Sequence, residues 1–270
     1  MIAVLAGGLG LVVGLVIGTL GGGGGVLSVP ALVYVLGQDA RAATTGSIVI
    51  VGIVSAVGVL TRLRGRLIDW RTGVAFGAVG VPTAWAGAVL NRSVPQPVLM
   101  LSFAALTLAI AALLLVRSTP DPPPPEGTPP AGTSGSTAVL APPRGRTARA
   151  VKVVASGAVV GFLTGFLGVG GGFLVVPALA VVLGLSMPAA IATSLLVLTF
   201  NAISSLAARA GHLDVDWAVI GPFVGVAVLA ALAGKLISDR LSSASLGRAF
   251  AMLLVLVGGF VGVESLVSLP

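Results

Sequence analysis

Cysteine is absent from the 270 residues, and histidine occurs once. This excludes disulfides, thiolate metal sites and iron–sulfur clusters, and leaves no pair of axial histidines for a haem within one chain. Charge is scarce too. Asp, Glu, Lys and Arg make up 9% of the residues, against about 25% in ordinary soluble domains. A soluble enzyme, a nucleic-acid-binding domain and a disordered chain are all excluded on that ground. The opening MIAVLAGGLG lacks a basic stretch before its apolar run. The first segment is therefore expected to be a retained span rather than a cleaved signal peptide.

What fills the chain is apolar. Hydrophobic residues are 56% of the total, the mean hydropathy is +1.13, and apolar stretches recur from end to end. The expected class is an all-α polytopic membrane protein lying almost entirely in the bilayer. A net charge of +7 would point to nucleic acid in a soluble protein. In a membrane protein, arginines in cytoplasmic loops that fix orientation account for it, and no nucleic-acid partner is expected. The 39 glycines suit close helix packing and broken helices.

Residues 117–149 differ from the rest, being rich in Pro, Gly, Ser and Thr. They read as a polyproline-type or disordered linker between two transmembrane halves, 1–116 and 150–270. The halves are related at an offset of 147 positions. Residues 14–32 align without a gap on 161–179, and the register continues through Ser47 and Ser194, Arg62 and Arg209, and the Asp-Trp pairs Asp69-Trp70 and Asp216-Trp217. An internal duplication is the reading.

Each half divides into five apolar pieces: 2–20, 26–37, 40–61, 70–90 and 96–116, then 151–167, 173–184, 187–208, 217–237 and 246–267. A full span needs about 20 apolar residues. The pieces 26–37 and 173–184 are too short; each follows a glycine cluster and carries a proline in its first turn or so. They are expected to be discontinuous or re-entrant helices, giving about eight to ten transmembrane elements. The cluster Arg62, Arg64, Arg66 and Arg71 places its loop in the cytoplasm, as does the basic linker. In the second half the bias flips: the loop 209–216 is poor in basic residues, whereas Lys235, Arg240 and Arg248 gather at the next one. Corresponding loops thus face opposite sides. An inverted-topology repeat is expected, with a site at the repeat interface near the midplane.

The glycine breaks are the sharpest candidates for that site: Gly21, Gly23, Gly24 and Gly25 in the first half, and Gly168, Gly170, Gly171 and Gly172 in the second. Each precedes a helix start, where the first amides lack internal partners and the macrodipole is positive. Two such starts meeting would cradle an anion. Small polar residues could add neutral donors: Ser28, Ser47, Ser194 and Asn201 foremost, with Thr44, Thr45, Thr193 and Thr199 beside them. For each, interhelical or back-bonding hydrogen bonds are the alternative.

No charged residue is expected deep in a span, which leaves no obvious carboxylate for a proton relay. Glu264 falls near a helix end. Arg62 and Arg209 are expected to be interface anchors, and Asp69 and Asp216 helix N-caps beside an interfacial tryptophan. His212, the sole histidine, falls in a loop, and no catalytic or metal-binding residue is expected.

The duplicated G-x-G-G-G-x-x-x-x-P-x-L pattern at 21–32 and 168–179, followed by A-x-x-x-S-L at 190–195 and the loop aspartate, resembles the TauE/SafE family of sulfite exporters and toluene-sulfonate-uptake permeases. The resemblance covers both halves and omits the linker. It implies a secondary transporter of sulfite, sulfoacetate, other organosulfonates or related small anions, in the bacterial plasma membrane. The family's motif falls here on Gly21, Gly23, Gly24, Gly25 and Pro30, and on Gly168, Gly170, Gly171, Gly172 and Pro177. The first copy departs from the second where Thr45, Gly46, Ser47 and Ile48 stand against Ala192, Thr193, Ser194 and Leu195.

The expected function is alternating-access transport of such an anion, without a cofactor. An anion channel and a non-transporting assembly subunit are the alternatives. The expected partners are the anion and the lipid bilayer, and a homo-oligomer is compatible with the glycine-rich faces.

Overall fold

A computed structural model describes residues 2–65, 67–91, 93–94, 96–117, 144–167, 172–208 and 215–267, and these are helical apart from short connections. In chain order the helices are α1 (Ile2–Leu20), α2 (Gly24–Pro30), α3 (Ala40–Arg62), α4 (Trp70–Asn91) and α5 (Gln96–Arg117) in the first half. In the second half they are α6 (Arg144–Leu167), α7 (Gly172–Pro177), α8 (Met187–Ala208), α9 (Trp217–Ser238) and α10 (Ser243–Val267). Among the described residues, seven helices are long and apolar enough to cross a membrane. The protein is a polytopic all-α membrane protein. Its outer surface carries large apolar side chains, with Val4 78%, Trp85 74% and Leu256 68% exposed, as lipid rather than water would require.

The ten helices fall on the ten apolar pieces, with one extension. Helix α6 begins at Arg144, so the last residues assigned to the linker are helical; residues 118–143 lie outside the described part. The N-terminal starts of α4 and α9 follow from their aspartates. Asp216 Oδ1 accepts the Ala218 amide at 3.0 Å. Asp69 accepts the Thr72 amide at 3.0 Å and the Thr72 hydroxyl at 2.7 Å. Both satisfy first-turn donors that have no partner within the helix.

The two short pieces start earlier than the sequence reading placed them, because Gly24, Gly25 and Gly172 are already helical. Pro30 and Pro177 therefore stand at the ends of α2 and α7, not in their first turns. A proline has no N–H, and its ring crowds the carbonyl one turn back. In both copies the helix then widens into a π-turn, over Ala31–Val35 and Ala178–Val182. The Leu36 amide reaches Ala31 O at 3.2 Å and Leu183 reaches Ala178 O at 3.3 Å. Gly37 and Gly184 end both segments at φ 65° and 68°, a region that glycine enters without a Cβ penalty.

Glycine sets the packing of the long helices. In α1, Gly10, Gly14 and Gly18 lie on the backbone of Phe223, Ala227 and Ala231 in α9. In α6, Gly157, Gly161 and Gly165 lie on the backbone of Phe76, Gly80 and Ala84 in α4. Residue numbers rise together along each seam, so α1 runs parallel to α9, and α6 to α4. Exchanging every residue for its counterpart 147 positions away turns one seam into the other. The repeat-equivalent helices pack the opposite way. Gly52 faces Ala202 and Gly58 faces Leu195, so α3 and α8 are antiparallel. Gly258 faces Thr107 and Gly262 faces Ala104, so α10 and α5 are antiparallel as well. Reciprocal contacts define a pseudo-two-fold. Because equivalent helices run in opposite directions, its axis lies across them.

Candidate functional site

Helix α1 ends at Leu20, and the chain turns through Gly21 at φ 68° and Gly23 at φ 93° before α2 begins. Gly23 is the N-cap residue, and lacking a side chain it cannot cap the amides behind it. The Val26 and Leu27 amides turn back to Gly23 O at 3.1 and 3.3 Å. Gly21, Gly23 and Gly24 are buried and Gly25 is half-buried.

The second break meets the first. A Cβ on Gly22 would overlap the Gly172 carbonyl, and a Cβ on Gly172 would stand 3.6 Å from the Gly23 amide nitrogen. The two helix starts thus approach backbone to backbone, at a distance that the missing Cβ of Gly22 permits. Gly168, Gly170 and Gly171 lie outside the described residues. Beside Gly23 is a cavity of about 10 Å³ lined by Val26, Phe103, Phe173 and Leu253. It has room for about one water and none for a sulfonate. Among the described residues, the space beside Gly23 is closely packed.

The candidate side chains are distributed unevenly around this contact. Ser194, fully buried, donates to Gly21 O at 2.9 Å and to Ile191 O at 2.8 Å, tying α8 to the first break. Its counterpart Ser47 donates to Thr44 O at 3.0 Å within its own helix. Ser28 back-bonds to Gly24 O, and Thr199 to Leu195 O at 2.8 Å. Thr193 accepts the Asp69 amide at 3.1 Å and so holds the α3–α4 connection against α8. A hydroxyl has one proton to give, and Ser28, Ser47, Ser194 and Thr199 direct theirs at carbonyls. Asn201 keeps a buried Oδ1 with no partner among the described residues, as does the Ser55 hydroxyl.

Arg62 corrects the sequence reading. It is not an interface anchor: the side chain is 4% exposed. It folds back along α3 to place Nη1 3.4 Å from Gly58 O and Nη2 2.5 Å from Gly18 O. Gly18 belongs to the last turn of α1, whose carbonyls have no partner within the helix and carry the negative end of the dipole. Arg62 and Arg209 stand at matching positions of the duplication, but the direction of a side chain at a span end is set by neighbouring helices. Arg209 and His212 lie outside the described residues, as does the side chain of Glu264.

Comparisons with known proteins agree with this architecture. The family described as Sulfite exporter TauE/SafE matches residues 6–261. A probable membrane transporter protein of Xylella fastidiosa (strain 9a5c) is 31% identical, over 97% of this chain and 95% of its own length. The probable membrane transporter protein YunE of Bacillus subtilis (strain 168) is 24% identical, over 93% of each. No solved structure matches. With its duplicated glycine breaks and its family match over nearly the whole length, the chain belongs to the TauE/SafE sulfite exporter family of membrane transporters.

Proposed function

We propose that the protein is a secondary transporter carrying a small sulfur-containing anion, sulfite or an organosulfonate such as sulfoacetate, across the bacterial plasma membrane by alternating access. The observation that carries this reading is the meeting of the two glycine breaks, Gly22 against Gly172. Helix α2 starts at Gly23 without a side-chain cap, and two glycine-led helix starts converging from related halves would form a cradle for negative charge that needs no cofactor. The antiparallel packing of α3 with α8 and of α5 with α10 supports halves inverted in the bilayer. With arginines favoured in cytoplasmic loops, this reading assigns Arg64 and Arg240 to the cytoplasmic side together. The close packing beside Gly23 supports a carrier that must part its halves to admit the anion, rather than an open pore.

The test is anion flux into proteoliposomes of purified protein, with sulfite, sulfoacetate, taurine, thiosulfate and acetate, with and without a pH gradient. Saturable flux of a sulfur oxyanion is expected. Flux that does not saturate would replace the carrier with a channel, and no flux of any anion would overturn the reading.

A further inference from the structure

We infer that Arg62 is the counter-charge for the transported anion, trading the Gly18 carbonyl for the anion's oxygens as the cytoplasmic side of the break opens. The inference rests on the anion-transport reading above and names the charged residue of that same site.

A guanidinium taken out of water needs compensation, and an ionisable group within a membrane bundle without it is costly. Arg62 has only partial compensation. It carries five N–H donors, and among the described residues its hydrogen bonds go to two backbone carbonyls, Gly18 and Gly58. Asp239, just past the end of α9, is already ion-paired with Lys235 at 2.5 Å. A planar fork held by two neutral acceptors is free to exchange one of them for a sulfonate or sulfite, which it binds through paired N–H donors.

Position points the same way. Gly18 stands one turn before Gly21, whose carbonyl is held by Ser194. Gly58, the second acceptor, faces Leu195, the next residue of α8. Arg62 and Ser194 therefore flank the same break, and the hydroxyls nearby have committed their protons to carbonyls. Outside Arg62, between the ends of α3 and α9, lies a groove of about 580 Å³ lined by Leu60, Thr61, Arg64, Leu232 and Lys235. Leucines form most of its wall, with Arg64 and the ion-paired Lys235 beside them.

The experiment compares Arg62→Gln and Arg62→Lys with the wild type in the proteoliposome assay, using sulfite and sulfoacetate. Glutamine keeps donors for the helix carbonyls and loses the charge; lysine keeps the charge and loses the fork. Arg62→Gln is expected to unfold at the wild-type temperature in detergent while its KM rises about tenfold or more, the size of a lost charge-assisted hydrogen bond. Arg62→Lys is expected to lie between the two. Wild-type KM in a folded Arg62→Gln would overturn the assignment and leave the transport reading standing. Loss of folding in both variants would also overturn it, making Arg62 a structural cap of α1. Absence of flux in the wild type itself would instead remove the transport reading, and this one with it.

Discussion

The Ser194 hydroxyl donates to the Gly21 carbonyl at 2.9 Å, across 173 positions of sequence. It joins a helix of the second half to the break of the first. Its repeat counterpart Ser47 bonds within α3, to Thr44 O. Ser194→Ala removes the tie and leaves the buried Gly21 carbonyl with one donor fewer. A destabilisation of about 1 kcal/mol is expected, with a severalfold fall in anion flux. Thermal unfolding and flux measured on the same preparation check this, and wild-type values for both would remove Ser194 from the site.

The glycine seams give a paired prediction. A Cβ on Gly14 would stand 2.6 Å from Ala227 Cα, and one on Gly161 would stand 2.6 Å from Gly80 Cα. Gly14→Ala and Gly161→Ala are expected to destabilise alike, each by about 1–3 kcal/mol, as overpacking does. Gly8 faces open space. Gly8→Ala is expected to be neutral or to stabilise α1 by up to about 1 kcal/mol through helix propensity. Unfolding midpoints in one detergent decide, and a harmless Gly14→Ala would contradict the close approach of α1 and α9.

The antiparallel contact of repeat-equivalent helices is open to cross-linking, because the chain has no cysteine of its own. A Cβ at Gly52 would stand 2.8 Å from the Ala202 Cβ, close enough for a bridge after a small shift. Gly52→Cys with Ala202→Cys is expected to form a disulfide under oxidation. Its two halves should then stay together after cleavage at a protease site inserted in 118–143. Fragments that separate would mean that α3 and α8 do not pair this way.

Sidedness is tested by labelling single cysteines in intact cells. Ser93 and Ser242 are exposed, at connections on opposite ends of the bundle. With inverted halves and cytoplasmic arginines, an impermeant maleimide is expected to label Ser93→Cys from outside and Ser242→Cys only after permeabilisation. The reverse pattern would turn the topology over, and labelling of both from outside would break the proposed inversion.

The two aspartate caps differ in depth of engagement. Asp216 accepts one amide, whereas Asp69 accepts an amide and a hydroxyl from Thr72. Asp216→Ala is expected to cost about 1 kcal/mol and Asp69→Ala measurably more. Equal shifts in unfolding temperature would show that the Thr72 hydroxyl contributes nothing.

Much of this protein could be read before its structure. Ten apolar pieces, their pairing at a fixed offset, the two short elements and the aspartate caps all rest on local information: hydropathy over a span, a repeated string, a carboxylate one position before a helix. The first glycine break was legible for the same reason, since residues without Cβ ahead of a proline suit a broken helix as well as close packing; Gly168, Gly170 and Gly171 of the second lie outside the described residues. The limits of local information show in three places. Pro30 and Pro177 were placed too near their helix starts, because whether Gly24 and Gly172 are helical depends on the neighbours that hold them. Ser47 and Ser194 were equal in the sequence and unequal in their partners. Arg62 was read as an anchor at the membrane surface.

What the sequence determined alone is the class, the duplication and the location of the breaks, because periodicity and composition express the solvent that each segment must meet. What the tertiary structure decided is which helices touch. The seams of α1 with α9 and of α4 with α6, the contact of Gly22 with Gly172, and the inward turn of Arg62 all join residues from distant parts of the chain. Their geometry follows from how closely two backbones approach. A string of glycines permits that approach without naming the partner.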